Sequence, residues 1–192
     1  MESMAARQRF TAALKRLFRA PVAPARPAGD YGVLQFDQVL DEVFIGTCPV
    51  RAADVRRLKS ALGVSAVLNL QTDEDFERWR IDWPALLAAY GTHEIAVERV
   101  PIRDFDPEDL AARVTQAAER LARLIEVGHR VYVHCTAGQQ RSPAAVICYL
   151  VTRHGYDLDA AFARVSENRR CSPDMGALAA ACGRRPPTDT ET

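Results

Sequence analysis

The sequence predicts an α/β layered domain with a mostly parallel central sheet flanked by helices, and three observations carry that prediction. Short apolar runs of β type alternate with stretches whose apolar residues recur at helical spacing. One such run, VYVH at 131–134, passes through a glycine-bearing loop directly into a helical stretch, the arrangement in which parallel sheets present their ligand sites. The length of 192 residues allows one domain with a substantial core and is short for two.

The elements follow in order. Residues 33–36 and 43–45 read as short strands around a turn. Residues 51–62 are helical, with Val55, Leu58 and Leu62 on one face, and 64–70 (VSAVLNL) are a buried strand. Residues 73–90 are polar and then apolar, which reads as a loop followed by a helix at 84–90. A strand at 94–100 precedes the loop PIRDFD and a long helix at 107–127, lined by Leu110, Val114, Ala117, Leu121, Leu124 and Ile125 and stopped by Gly128. The strand at 130–134 is followed by helices at 143–154, 158–168 and 173–181. No internal repeat is present.

Composition bounds the function classes. Lysine and arginine number 25, aspartate and glutamate also 25, so the net charge is zero and the electrostatic case for nucleic-acid binding is absent. No apolar run approaches the roughly 20 residues needed to span a bilayer. The five cysteines show no CxxC spacing, which fits a reducing compartment and neither a disulfide framework nor a zinc site. Residues 1–30 are basic, poor in acids and apolar at helical spacing around Phe10, Leu14, Leu17 and Phe18, ending in the linker APVAPARPAGD. They read either as an organelle presequence or as a short helix and linker before a catalytic domain at 31–183. The tail at 184–192 is polar and proline-bearing and reads as disordered. The expected location is cytoplasmic, or a plastid or other organelle if the first 30 residues are a presequence, and the expected state is a monomer.

The chemistry concentrates in HCTAGQQRSP, His134 to Pro143. A helix that begins after a loop turns unpaired N–H groups and partial positive charge into that loop, and an anion such as phosphate fits there. Gly138 supplies the backbone freedom to curl Thr136, Ala137, Gly138, Gln139, Gln140 and Ser142 around it. Pro143 lies in the first helical turn, where its missing N–H costs nothing. Arg141 brings a planar fork suited to two phosphate oxygens. The field that holds an anion also stabilises a thiolate, so Cys135 at the floor of the cradle reads as an in-line nucleophile toward phosphorus. No metal or cofactor is required. The bare spacing Cys-x5-Arg arises readily by chance in an arginine-rich chain; the strand, glycine, serine and helix around it supply the specificity.

The run HCTAGQQRS resembles the His-Cys-x5-Arg-Ser signature of the cysteine-dependent protein tyrosine phosphatase superfamily, in its dual-specificity branch. That resemblance implies a dual-specificity phosphatase-like fold, Cys135 as nucleophile, Arg141 as phosphate-binding arginine, Ser142 as helper in breakdown of the phosphocysteine, and His134 as tuner of the thiol. An alkoxide leaving group also needs a proton donor. In the loop IRDFDPED, Asp106 precedes Pro107 and a helix with Asp109 three residues on, which reads as an N-cap. Asp104 has no such role and is the candidate general acid, and in the family an aspartate about thirty residues before the cysteine serves so.

Within the branch, CTAGQQR is similar to the Cys-x-Ala-Gly-x-Gly-Arg loop of plant-type glucan phosphatases and laforin, with Gln140 where that pattern has glycine. IRDFDPEDL, FIGTCP, LQTDED and NRRCSP are also similar to segments of the plant enzymes. The resemblance implies a phosphorylated glucan as substrate, with Phe105, Phe76 and Trp79 as candidate faces for sugar rings. Phe76 and Trp79 can equally pack on the neighbouring helix. The alternative is the same chemistry on phosphoprotein, at phosphotyrosine or phosphoserine/threonine; a catalytically silent binding module is a third reading.

Overall fold

The computed structural model describes residues 34–183. The expectations for residues 1–30 and 184–192, and for the start of the first strand, lie outside them. Among the described residues, β1 (Phe36–Leu40) and β2 (Val43–Gly46) form an antiparallel pair. The chain continues through α1 (Ala52–Leu62), β3 (Ala66–Asn69), α2 (Asp73–Trp79), α3 (Trp83–Thr92), β4 (Ala96–Arg99), α4 (Pro107–Glu126), β5 (Val131–His134), α5 (Arg141–His154), α6 (Leu158–Ser166) and α7 (Met175–Cys182). The sheet order is β1-β2-β5-β3-β4, and every pairing except β1 with β2 is parallel.

Strand side chains alternate between two cores, as a period of two requires. Val43 and Ile45, Ala66 and Leu68, and Val131 and Val133 face one core, completed by α4, α5, α6 and α7. Phe44, Val67 and Tyr132 face the other, completed by α1, α2 and α3. β5 lies at the centre of the sheet and all four of its residues are buried. Its carboxyl end delivers Cys135 to a loop surrounded by the ends of β2 and β3. α5 then runs through the first core, with Arg141 to Leu150 buried at every position.

Two expectations shift. The first strand begins at Phe36, where the apolar run VLQF had suggested it would end. β1 is an edge strand with only Val39 fully buried, and its register breaks between Gln38 and Leu40, so Phe36, Val39 and Leu40 do not alternate as a strand's apolar face would. The expected loop after Gln71 is the seven-residue helix α2. Thr72 and Asp75 form a capping box there: Asp75 N–H donates to Thr72 Oγ1 at 3.2 Å, and Thr72 N–H to Asp75 Oδ2 at 2.9 Å. The helix is too short and too polar for periodicity to reveal it.

The floor of the site is set by a close approach of backbones. Gly138 has φ +68, and a methyl group on it would strike the Gly46 carbonyl and the Arg169 guanidinium. A methyl group on Gly46 would strike Tyr132 Oη, which donates to the Thr47 carbonyl at 2.7 Å, and the Gln35 carbonyl. Gly46→Ala is therefore expected to destabilise the domain by about 1–3 kcal/mol, the ordinary cost of overpacking a filled site, read as a lower urea midpoint at unchanged slope.

Candidate active site

Cys135 follows the last residue of β5 and is 2% exposed. Its Sγ receives the Gly138 N–H at 3.3 Å and lies 3.4 Å from Ser142 Oγ. Burial pushes the thiol up, but the Arg141 charge, the Ser142 hydroxyl and N–H, and the Gly138 N–H outweigh it and hold the thiol below its ordinary value. A second thiol nearby behaves in the opposite way. Cys48 is pushed up to about 12, chiefly by burial and then by the charge on Cys135. His134 is pushed down to about 4 by burial, so its imidazole is neutral. Its Nδ1 lies 3.1 Å from the Cys135 carbonyl, which can only accept, so the proton resides on Nδ1.

Arg141 is the first residue of α5 and is 2% exposed. Nη1 donates to Asp75 Oδ2 at 2.6 Å and to the Ile102 carbonyl at 2.8 Å, and Nη2 donates to Thr136 Oγ1 at 3.2 Å. Its Nε lies 3.1 Å from Asp104 Oδ1 without the alignment of a hydrogen bond, so this buried N–H is left for another acceptor. Burial raises the Asp75 carboxyl, and the Arg141 hydrogen bond and the Thr72 N–H pull it below its ordinary value. Thr136 Oγ1 also accepts from Gln71 Nε2 at 3.1 Å, which ties the loop to the end of β3.

The remaining loop residues divide by direction. Ala137 and Gln139 are exposed, Gly138 is buried, and Gln140 is half-buried at the N-cap of α5 without a side-chain cap bond. The Gln139 carbonyl accepts from Ser172 N–H at 2.8 Å and the Thr136 carbonyl from Cys48 N–H at 3.0 Å. Asp106 caps α4 by accepting from Asp109 N–H at 2.9 Å, as its position before Pro107 predicts. Asp104 is thereby left on the loop, beside Arg141. Phe105 is 80% exposed at φ +57, with its ring beside a cleft of about 320 Å³ that Arg103, Gln140, Arg141, Pro173 and Asp174 also line.

Of the other two aromatics, the structure corrects Phe76 and leaves Trp79 at the edge of a core. Phe76 is 8% exposed and stacks on Trp83 at 4.9 Å with 9° between the planes, while the Arg99 guanidinium lies 4.7 Å from its ring centre. It is part of the second core and offers no face to a sugar. Trp79 is half-buried and packs against the same core. Both lie on a helix where sequence reading had placed a loop, and helical spacing turns Phe76 inward.

Sequence reading missed Asp75, Gln71 and Arg169. The Thr72-x-x-Asp75 pattern marks a helix start, but no local signal connects Asp75 with an arginine 66 positions later. Among the described residues, no cluster of histidine, cysteine or acidic side chains could hold a metal ion, and no helix is long and apolar enough to cross a membrane.

This geometry can bind a phosphate dianion, attack it in line with a thiolate, and present a carboxyl at the mouth. Comparison with known proteins points the same way. The profile of the dual specificity phosphatase catalytic domain matches residues 43–179. Phosphoglucan phosphatase LSF1, chloroplastic, from Arabidopsis thaliana is 33% identical over 146 residues, which are 76% of this chain and 24% of that protein. Laforin from Mus musculus is 33% identical over 135 residues, 65% of this chain and 41% of that protein. The chain thus spans between a quarter and two fifths of the length of these relatives. The crystal structure of PTPMT1 shares the fold, with a TM-score of 0.64 at 20% identity over 77% of this chain and 92% of that one.

Removing Asp75 strands a buried guanidinium, so Asp75→Ala is expected to cost about 3–5 kcal/mol of stability. The folded-state carboxyl sits below its ordinary 3.8, so the unfolded chain binds more protons as acid is added. The contribution is complete above about pH 5 and is lost as pH falls through the folded value. The stability gap between parent and variant, measured by urea denaturation, should therefore narrow from pH 5 downward.

Proposed function

Because the chain belongs to the dual specificity phosphatase family, we propose that it hydrolyses phosphomonoesters through a phosphocysteine, with phosphorylated glucan as its substrate. The observation that carries the phosphatase reading is the buried Arg141 Nε–H, without an aligned hydrogen-bond acceptor beside a depressed thiol and an inward-turned loop amide. A phosphoryl group supplies the missing acceptor and the electrophile at once.

The steps follow from the positions. The Cys135 thiolate attacks phosphorus, forming the S–P bond as the P–O bond to the alcohol breaks. Asp104 gives its proton to the departing oxygen. The loop amides and Arg141 hold the three equatorial oxygens as charge redistributes. Water, deprotonated by Asp104, then attacks phosphorus; the S–P bond breaks, the thiolate returns to its bonds from Gly138 and Ser142, and inorganic phosphate leaves.

Three features support a glucan as the alcohol. Relatives at this level of identity include proteins named phosphoglucan phosphatases. Phe105 presents a flat apolar face next to the cradle, and the cleft beside it carries the carboxylates of Asp106 and Asp174 together with the Gln140 carboxamide. Such a mixture of one aromatic plane and several hydrogen-bonding groups suits a pyranose ring.

The deciding experiment compares phosphate release from phosphorylated amylopectin or glycogen with release from phosphopeptides at equal enzyme. Preferential turnover of glucan is expected; strong peptide turnover without glucan activity would replace the substrate and leave the chemistry standing. Cys135→Ser should abolish turnover of every ester. Asp104→Ala should slow alkyl esters by about 10²–10⁴-fold and aryl phosphates far less, because a phenolate leaves without a proton. Phe105→Ala should lower the ratio of glucan to aryl phosphate turnover by about tenfold, a loss equivalent to one aromatic contact.

A further inference from the structure

Arg169, between α6 and α7 and outside the phosphate loop, is spread over three acceptors, two of them loop carbonyls. Nε donates to the Gly138 carbonyl at 3.0 Å, Nη2 to the Ala137 carbonyl at 3.0 Å, and Nη1 to the Asp37 carboxylate at 2.8 Å. Its side chain is 8% exposed, so the guanidinium is held out of bulk water, while the Asp37 carboxylate that anchors it is 43% exposed. Asp37 belongs to the edge strand β1, far from Arg169 in sequence, and anchors the guanidinium from the side opposite the loop.

The consequence follows from peptide planarity. In a trans peptide the C=O and the following N–H point in opposite directions and turn as one unit. When the Ala137 carbonyl is drawn outward to Arg169, the Gly138 N–H is turned inward, and it meets Cys135 Sγ at 3.3 Å. When the Gly138 carbonyl is drawn outward, the Gln139 N–H is turned inward in the same way. The guanidinium fork matches two adjacent carbonyls, which the point charge of a lysine cannot do.

We propose that Arg169, anchored by Asp37, is a positioning residue for phosphoryl transfer: it grips the two outward carbonyls and thereby aims the Gly138 and Gln139 amides at the sulfur and at the phosphoryl oxygens. The proposal rests on the phosphatase reading and goes beyond it by assigning the shape of the loop to a pair of residues outside the signature. Arg169 touches neither substrate nor sulfur, so its effect passes through the loop.

The test uses the full chain and its variants Arg169→Met, Arg169→Lys and Asp37→Asn. Ionisation of Cys135 is followed by ultraviolet thiolate absorbance, as the difference from the same protein carrying Cys135→Ser. Anion affinity is read from orthovanadate inhibition of aryl phosphate hydrolysis, and cooperative melting verifies folding. Arg169→Met is expected to lose at least tenfold in kcat, weaken vanadate inhibition by a similar factor, and move the Cys135 titration up by about one pH unit. Arg169→Lys should not restore these, and Asp37→Asn should show the same pattern in milder form. Folded Arg169→Met protein with titration and vanadate inhibition within twofold of the parent overturns the proposal. Should Arg169→Met fail to fold, Asp37→Asn decides by the same two readouts. An ordinary thiol titration in the parent itself would overturn the phosphatase reading, and the clamp with it.

Discussion

The buried contact between Arg141 and Asp75, 2.6 Å long, is the constraint on which the site depends. Both groups have left water, and burial of an ion pair repays its desolvation only when the remaining donors and acceptors are also met. Here they nearly all are. Arg141 reaches the Ile102 carbonyl and Thr136, and Asp75 receives the N–H and hydroxyl of Thr72 and the Thr136 hydroxyl. Arg141 Nε is the one nitrogen of the guanidinium without an aligned acceptor. The pair's value thus lies in orientation more than in stability: it aims a permanent cation at the point where an oxyanion would sit.

The same surroundings set the sulfur chemistry. Cys135 and Cys48 are both buried and close to one another, yet they move in opposite directions. Cys135 has Arg141, Ser142 and two backbone N–H groups to oppose the desolvation. Cys48 faces the charge of Cys135 in addition to its own burial. Reactivity is therefore a property of the nest of donors, and the residue type supplies only the atom. His134 contributes through its neutral ring, whose proton is committed to the Cys135 carbonyl and so helps fix the start of the loop.

Several features were legible because their causes are local. Gly138 announces a left-handed residue, Asp106 before Pro107 announces a helix cap, and β5 reads as a buried strand because both its faces are covered. The failures share a different cause. β1 lies at the sheet edge with only Val39 fully buried, and its register breaks between Gln38 and Leu40, so its apolar residues show no regular alternation. α2 has only seven residues, about two turns, too few for a periodicity that would announce Phe76 as a core residue packed on Trp83 and Arg99.

By itself the sequence determined the α/β layering, the position of the strand–loop–helix cradle, and the identity of the thiol, arginine and loop aspartate that converge there. Each of these follows from periodicity or from residues within one short segment, where chain geometry leaves few choices. Only the tertiary structure decided which carboxylate holds Arg141, which guanidinium grips the back of the loop, and which aromatic remains exposed. Asp75 and Arg141 are 66 residues apart, and Asp37 and Arg169 are 132 apart. Contacts across such separations are created when the sheet aligns the ends of distant strands, and no local pattern of side chains encodes them.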